Sequence, residues 1–344
     1  MSTKSFALKA LALGVISALP ALAAAQTSVR LYGLIDGYVG SEKTAVGSKT
    51  VVNSGGMSTS FWGVDGSEDL GGGLKAVFAL ESFLRQDTGE PGRFNGDPFF
   101  ARNAYVGLDG GFGRATMGRN TNPFFLSTII FNPFGDSFGF SPAVYHQLIG
   151  NVQGDTGFSN SIRYQSPVLG GFKLDAIYTL GAELDSSSPF KNRNKGFDIG
   201  GFYFGGPLAA SLVVRKYNLD NTGLTSEQTS FLSGVSYDLK AVKLFGQLGQ
   251  SKLESSVSGE QKQRMLQLGV AVPLGAGSIL ASFADTKITD DNAATANKRR
   301  GFALGYDHNL SKRTDLYAVV FDDKYSNPET SKLRRIGFGV RHRF

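Results

Sequence analysis

Apolar and polar positions alternate with a period of two along most of this chain. Within residues 30–39, one set of alternate positions includes Arg30 and Asp36, whereas the other, with Leu31 and Ile35, has no polar side chain. Successive side chains of a β-strand point to opposite sides, so this pattern predicts a strand with one polar face. The alternation recurs to the last residue, and no stretch after the first 25 residues sustains the spacing of a major helix. The chain is therefore predicted to be all-β.

Turn residues divide the chain into sixteen predicted strands. They span residues 29–40, 59–68, 74–86, 101–108, 113–119, 159–166, 172–181, 196–205, 208–217, 228–237, 242–251, 264–272, 277–287, 299–308, 314–322 and 333–344. Tight turns such as Asp69–Gly73 and Asp109–Phe112 alternate with longer connections rich in Ser, Asn, Asp and Gly. An even number of strands returns both chain ends to the same side of a barrier.

Connections that are sorted by length are typical of a transmembrane β-barrel, which has short turns at one rim and longer loops at the other. Its strands cross the bilayer with about ten residues each. Hydrocarbon offers no hydrogen bonds to an open sheet edge, so a membrane-spanning sheet must close. Aromatic residues near predicted strand ends, such as Trp62, Tyr105 and Phe172, fit the interfacial girdles of such a barrel. The sequence predicts a 16-stranded antiparallel transmembrane β-barrel; the alternative is a soluble β protein with an aromatic core.

The first 25 residues have a different character. Lys4 and Lys9 precede an almost wholly apolar run that is broken by Pro20 and ends in three alanines. This arrangement predicts a secretory signal peptide over residues 1–25. A membrane anchor fits less well, because the run is short and no basic cluster follows it. Residues 26–344 would then form a single exported barrel domain.

Composition excludes several classes of function. The 344 residues include 45 Gly and no Cys, and the formal net charge of +6 falls to +4 when Lys4 and Lys9 leave with the signal peptide. The lack of Cys excludes a disulfide-stapled fold, a cysteine-ligated metal and a thiol enzyme. A charge this small, without a recognition motif, argues against nucleic acid as a ligand.

One connection, between Arg119 and Ser159, is far longer than an ordinary structureless loop. It covers about residues 120–158 and carries too many phenylalanines to remain in water. We expect this segment to fold back into the lumen, with Phe134 and Phe138 packed on the inner wall, and so to narrow the bore. The alternatives are an extracellular Ω-loop and a disordered insert.

Five segments spread over the predicted mature chain form a recognisable pattern. They are Thr27–Gly33, Gly66–Phe78, Arg102–Leu108, Met117–Arg119 and Arg341–Phe344. Together they resemble the general porins of Gram-negative bacteria, especially those of the β-proteobacteria. The resemblance implies a homotrimeric outer-membrane barrel without a cofactor, through which small hydrophilic solutes diffuse passively past a constriction formed by the third loop. It also implies contact with outer-membrane lipid and lipopolysaccharide, and recognition of Phe344 by the barrel-assembly machinery.

The resemblance assigns pore residues as well. Arg102 and Arg119 match arginines of the barrel wall, Glu81 matches a pore-side acid of the third strand, and Asp136 stands where relatives place an acid on the third loop. Basic residues that face acidic ones across a constriction produce a transverse field. The implied channel has a weak preference for anions.

Two positions depart from the family pattern. Phe61 stands where relatives commonly have Arg, and no Arg occurs at Thr156 or Gly157, where another is expected. Arg163, which alternation turns inward, could replace part of this basic ladder. Other candidates are Arg30, Lys75 and Arg85. Each such arginine could equally be paired with a carboxylate and have no effect on selectivity.

Basic clusters also occur at predicted loop edges, at 191–195, 298–300 and 332–335. They could bind lipopolysaccharide phosphates or could simply be solvated.

Catalysis is not expected. The chain has three His, at positions that would not meet a nucleophile, and it lacks the serine hydrolase, zinc protease, phosphate-loop and calcium-loop motifs. The remaining alternatives are a substrate-selective channel that uses the loop phenylalanines as an aromatic slide, and a plugged, adhesin-like barrel.

Overall fold

A computed structural model describes residues 28–148, 155–182, 193–219, 226–256, 258–293, 295–326 and 332–344. The predicted signal peptide lies outside these residues, as does Lys191 of the first basic cluster.

The described residues form eighteen strands and two short helices. The strands are β1 (Ser28–Thr44), β2 (Gly47–Ser54), β3 (Phe61–Gly71), β4 (Leu74–Arg85), β5 (Glu90–Pro91), β6 (Asn103–Gly110), β7 (Gly113–Thr121), β8 (Gly157–Gln165), β9 (Phe172–Leu180), β10 (Lys195–Gly205), β11 (Leu208–Asn218), β12 (Ser226–Asp238), β13 (Lys243–Ser255), β14 (Gly259–Leu274), β15 (Gly277–Asp290), β16 (Asn297–Asn309), β17 (Thr314–Tyr325) and β18 (Lys332–Arg343). The helices are α1 (Pro123–Ile130) and α2 (Pro142–Leu148). Neither helix of the described ranges is long and apolar enough to cross a membrane.

These strands close into an antiparallel barrel. From β6 to β18 each strand pairs with the next one in the chain, β4 pairs with β3 and β6, and β1 pairs with β18, which leaves no open edge in the main sheet. The strands β2 and β3 both pair with β1, β2 along residues 37–44 and β3 along residues 28–34, so they share one position in the wall. Strand β5 pairs only with the end of β4. The described strands therefore occupy sixteen barrel positions, which confirms the predicted 16-stranded antiparallel barrel.

One connection was predicted wrongly. The residues after Gly40 were expected to form a long polar loop before a strand at 59–68, but β1 continues to Thr44 and turns back directly into β2. These residues are mostly polar on both faces, and strands that extend beyond a bilayer need no apolar face. Periodicity of hydrophobic residues therefore could not reveal them.

The two faces of the wall differ as the alternation predicts. Apolar side chains at alternate positions are exposed on the outside, whereas their neighbours are polar and buried inside. Exposed examples are Ile199, Leu212, Val214, Leu248 and Leu268, and buried examples are Asp198, Ser211, Arg215, Gln247 and Gln267. This reversal of a soluble protein's pattern suits a hydrocarbon environment around the barrel. It rules out the alternative of a soluble β protein with an aromatic core.

Short turns and both described chain ends lie at one rim. The turn between β3 and β4 passes through Gly71, Gly72 and Gly73, which have φ of +84°, +62° and +79°. These left-handed conformations favour glycine because other residues would be strained there. At the same rim Phe344 closes the barrel, because its backbone N–H donates to the Gly33 carbonyl at 3.1 Å.

Candidate functional site

The segment between β7 and β8 begins with a capped helix. The Asn122 side chain accepts a hydrogen bond from the Phe125 N–H at 2.8 Å, and Pro123 occupies the first turn of α1, where its missing N–H has no cost. Sequence periodicity did not reveal α1 or α2, because each is too short for a helical pattern to repeat.

Phenylalanines of this segment are buried in two clusters. Phe134 and Phe140 pack in a cluster that includes Tyr38, Tyr317 and Phe321 of the wall. Another cluster joins Phe124 and Phe131 to wall residues of β10–β14, namely Phe202, Val213, Leu232 and Met265. Phe138, which was expected to pack on the inner wall, is partly exposed. Its ring stacks on Phe125 of the same segment with the ring centroids 6.2 Å apart.

Two wall glycines leave room for these rings. A Cβ atom at Gly234 would lie 2.4 Å from Cδ2 of Phe131, and one at Gly337 would lie 2.6 Å from Cζ of Phe140. Real Cβ contacts are not this short, so any larger residue would displace the phenylalanines. The wall and the segment are therefore complementary in shape.

Polar contacts fasten the segment to the buried face of the wall. On α1, the Phe124 N–H donates to Asp198 at 3.1 Å, and Gln247 donates to the Thr128 carbonyl at 2.9 Å. Beyond α1, the Ser137 hydroxyl donates to the Gly56 carbonyl at 2.6 Å. Because these contacts reach β10, β13 and the break between β2 and β3, the segment is held at several separate points.

His146 fastens α2 to the wall. Its Nδ1 lies 2.8 Å from the Thr286 hydroxyl, and its Nε2 lies 2.8 Å from a carboxylate oxygen of Asp323, which Arg299 also contacts. A neutral imidazole satisfies both contacts, with Nε2–H donating and Nδ1 accepting. Burial lowers the pKa of His146 below its ordinary value of 6.5, although Asp323 opposes this effect.

Acidification should weaken the docking of α2 on the barrel wall. The pKa of His146 is lowered in the docked state, so the undocked state binds the proton more readily, and docking loses free energy as the pH falls below about 6.5. We expect single-channel current noise to increase between pH 7.5 and 5.5. The charged groups around the imidazole are Asp323, Arg299 and Asp285. In His146→Gln this increase should be smaller; an identical pH profile in both proteins would contradict the role of His146.

Arg102, just before β6, and Glu81 on β4 form an ion pair, a contact that the resemblance did not predict. The Arg102 guanidinium contacts the Glu81 carboxylate at 2.5 Å and lies 3.9 Å above the Phe61 ring. Phe61, at the position where the resemblance led us to expect an arginine, therefore supports another arginine by a cation–π contact. The Arg102 side chain is 32% exposed, whereas that of Glu81 is 5% exposed. A mobile ion can thus approach the positive partner more easily than the negative one.

Asp136 lies near this pair. Burial raises the pKa of the Asp136 carboxyl, although a hydrogen bond with Ser58 and the positive charges of Arg102 and Arg341 act to lower it. Arg341 in turn contacts Asp307 and Asp315 on the wall, each at 2.8 Å, and the Ser58 hydroxyl at 3.0 Å. Arg341 was not among the predicted pore residues, although its inward parity on the last strand was a usable signal.

Arg119 belongs to a different group. It contacts the Asp155 carboxylate, which Arg93 also contacts at 2.7 Å. Burial alone would raise the pKa of Asp155, but the two guanidiniums outweigh it and hold the pKa below its ordinary value. Arg93 also lies 3.4 Å from Thr156, one of the two positions, with Gly157, at which the resemblance led us to expect an arginine. Arg93 comes from the connection between β5 and β6, so strand alternation gave no signal for it.

Arg163 lies in a separate pair. Its guanidinium forms two hydrogen bonds with Asp175, of 2.8 and 2.6 Å, and both residues are buried. The inward direction predicted for Arg163 agrees with this burial. Its charge is nevertheless compensated by its neighbour on β9.

Two open spaces flank the Arg119 group. They measure about 650 and 690 Å³, and Asp155, Asn194 and Tyr217 line both of them, while Phe138 lines the first. Phe134 itself lines a smaller cavity of about 230 Å³, together with Met57, Asp307 and Arg341 among others.

A closed antiparallel barrel with an apolar outer face and a polar, charged inner face defines a β-barrel channel of the outer membrane. The chain belongs to the Gram-negative porin family, whose pattern matches residues 10–328. The protein is therefore an outer-membrane porin, a passive diffusion channel.

Curated relatives and solved structures agree with this assignment. The outer membrane porin protein 32 of Delftia acidovorans is 35% identical over 95% of this chain and 92% of its own length. An outer membrane porin protein of Bordetella pertussis is 29% identical over 97% of this chain and 99% of its own length. Among solved structures, the anion-selective porin from Comamonas acidovorans has a TM-score of 0.78 and 29% identity, covering 93% of this chain and 100% of its own.

Proposed function

We propose that this porin admits small hydrophilic solutes and ions with a weak preference for anions. The observation that carries the preference is the unequal exposure of the Arg102–Glu81 pair, in which the cation faces the solvent and the anion is covered. The related Comamonas acidovorans protein is described as anion-selective, which supports a preference for anions over cations.

The preference should be weak because the wall arginines are compensated. Arg163 pairs with Asp175 and Arg215 with Asp198, and all four side chains are almost completely covered. At Arg119 the exposure is reversed, since the side chain of its partner Asp155 is 38% exposed and its own is 11% exposed. Among Arg102, Arg119, Arg163 and Arg215, Arg102 therefore contributes most to the field that a passing ion experiences.

The segment 120–158 forms the constriction in this proposal. It is supported by the burial of Phe134 and Phe140 among wall residues and by the hydrogen bonds to inward-facing side chains. Asp136 then faces Arg102 and Arg341 across the narrow part of the bore, and Arg119, Arg163 and Glu81 line the wall.

The proposed partners follow from the family. They are two further copies of the chain in a homotrimer, outer-membrane lipid with lipopolysaccharide, and the barrel-assembly machinery, which would read Phe344. Catalysis has no part in the proposal, since the function is diffusion down a gradient.

A planar bilayer with a salt gradient tests the proposal. Refolded protein should give current steps in threes and a reversal potential that favours chloride. A silent bilayer from a correctly folded, heat-modifiable barrel would contradict it and favour a plugged, adhesin-like barrel.

Phe134→Ala tests whether the loop phenylalanines serve as anchors or as a slide for sugars. The change removes a fully buried ring, which costs about 3–5 kcal/mol of docking free energy. We expect a larger or noisier conductance. Phe338→Ala, on the exposed outer face, is the matched control and should conduct like the parent. Unchanged conductance with loss of block by sugars would instead support a substrate-selective channel.

A further inference from the structure

Three basic residues lie in one row across the outer face of the barrel. Arg264 on β14 is directly opposite Lys287 on β15, and Lys287 is directly opposite Lys298 on β16. All three are exposed, and the residues beside them in each strand face inward. Directly opposed side chains in a sheet have Cβ atoms about 5 Å apart, so the three charges form a compact group.

The row lies at the upper edge of the apolar band. Arg264 and Lys287 each lie ten residues from the turn between Leu274 and Gly277. At about 3.3 Å per residue and a tilt of about 40°, this corresponds to a height of roughly 25 Å, the height of the apolar band of such barrels. Below the row, the outer face carries apolar side chains. They are Leu266, Leu268, Phe283, Phe302 and Leu304, and the Asp285–Arg300 ion pair, level with Leu266, lies between the others and the row.

The positive charges of the row are not paired with carboxylates in the way that those of neighbouring lysines are. At the same end of the barrel, Lys252 contacts Glu254 and Glu260 at 2.7 and 2.8 Å, and Lys262 contacts Glu260 at 2.9 Å. The nearest acid below the row, Asp285, is occupied by Arg300 at 3.0 Å. Within the described ranges, neither Lys287 nor Lys298 forms an ion pair.

Arg264 is compensated no better. Among the residues that the structure describes, its guanidinium donates only to the neutral side-chain oxygen of Gln250, at 3.1 Å, so its charge also remains available.

Like charges directly opposite one another destabilise a sheet, so this row stores repulsion that an external anion would relieve. We propose that Arg264, Lys287 and Lys298 bind the phosphate groups of a phosphorylated lipid, whose acyl chains lie on the apolar residues below. A guanidinium offers two parallel donors to a phosphate, and lysines add mobile point charges. This site rests on the outer-membrane location and makes the lipid partner proposed above specific.

Native mass spectrometry of the refolded, detergent-solubilised porin tests the site. The probe is lipid A, a bisphosphorylated acylated disaccharide, compared with the same lipid after removal of its phosphates. The variant Arg264→Gln/Lys287→Gln/Lys298→Gln should bind lipid A roughly a hundredfold more weakly, since each basic residue near a lipid phosphate contributes about a fivefold factor. Because the variant loses the repulsion within the row and one exposed hydrogen bond, its barrel should fold about as readily as the parent.

The matched control is Lys75→Gln/Lys312→Gln/Arg313→Gln, which removes the same charges beside turns at the opposite rim. It should bind lipid A like the parent. Equal lipid A binding by both triple variants would overturn the proposal, as would equal binding of the dephosphorylated lipid by the parent. Displacement of lipid A by millimolar inorganic phosphate would also overturn it, because the site would then take a free anion.

Conductance of the same preparations separates this test from that of the porin function. A silent bilayer with intact, phosphate-dependent lipid binding would contradict diffusion and leave the lipid site standing. Normal conductance with unchanged lipid binding in the first variant would contradict the lipid site alone.

Discussion

Arg102→Glu should shift the reversal potential toward cations and change selectivity more than the same substitution at Arg119 or Arg163. The parent presents an exposed guanidinium beside a covered carboxylate, and the variant would present two carboxylates. A change of two charge units about 5 Å from a passing ion alters its energy by about 1 kcal/mol after screening, so the permeability ratio should change about fivefold.

Arg334→Glu is the matched control for this experiment. Arg334 is also paired with a carboxylate, that of Asp322 at 2.8 Å, but it lies on the outer face. The net charge changes equally in both variants, whereas the control should leave the reversal potential almost unchanged. If Arg102→Glu behaved like this control, Arg102 would have no place in the constriction.

Asp36→Ala is expected to cause the largest loss of stability. The Asp36 side chain is completely buried and accepts hydrogen bonds from the N–H groups of Gly56, Met57 and Ser58 and from the Tyr317 hydroxyl. Its removal leaves four buried donors without their acceptor. At about 1–3 kcal/mol for each unsatisfied group, partly recovered by relaxation, the free energy of unfolding should fall by about 3–5 kcal/mol.

The same substitution should disturb conduction. Asp36 holds residues 55–60, the break between β2 and β3, and the carbonyl of Gly56 there accepts the hydrogen bond from Ser137 of the long segment. We therefore expect noisier single-channel currents together with the lower stability.

Denaturant unfolding in detergent measures this loss. Asp36→Asn, which keeps one acceptor oxygen, should lie between Asp36→Ala and the parent. If Asp36→Ala unfolded at the same denaturant concentration as the parent, Asp36 would not support the break in the wall.

The strands and their two faces could be predicted from sequence because both are local. Period-two alternation assigned Ile35 to the outside and Asp36 to the inside, and the structure agrees. Glycine-rich turns and the terminal Phe344 marked the rim at which the barrel closes. The alternation did not reveal β2, because the residues on both of its faces are mostly polar.

The tertiary structure decided which charged side chains are compensated by a partner and which can act on ions or lipids. Alternation places both Arg102 and Arg163 on the inner face. Arg163 is nevertheless buried and forms two hydrogen bonds with Asp175, whereas Arg102 stays partly exposed over the Phe61 ring. Arg93 reaches Asp155 from a distant connection, and Arg264, Lys287 and Lys298 become neighbours only through strand register. The sequence by itself determined which residues face the lumen and which face lipid, because side-chain direction follows from the extended backbone of each strand. Partners come from segments far apart in the chain, so only the closed barrel decided which charges are compensated and which remain available to ions and lipids.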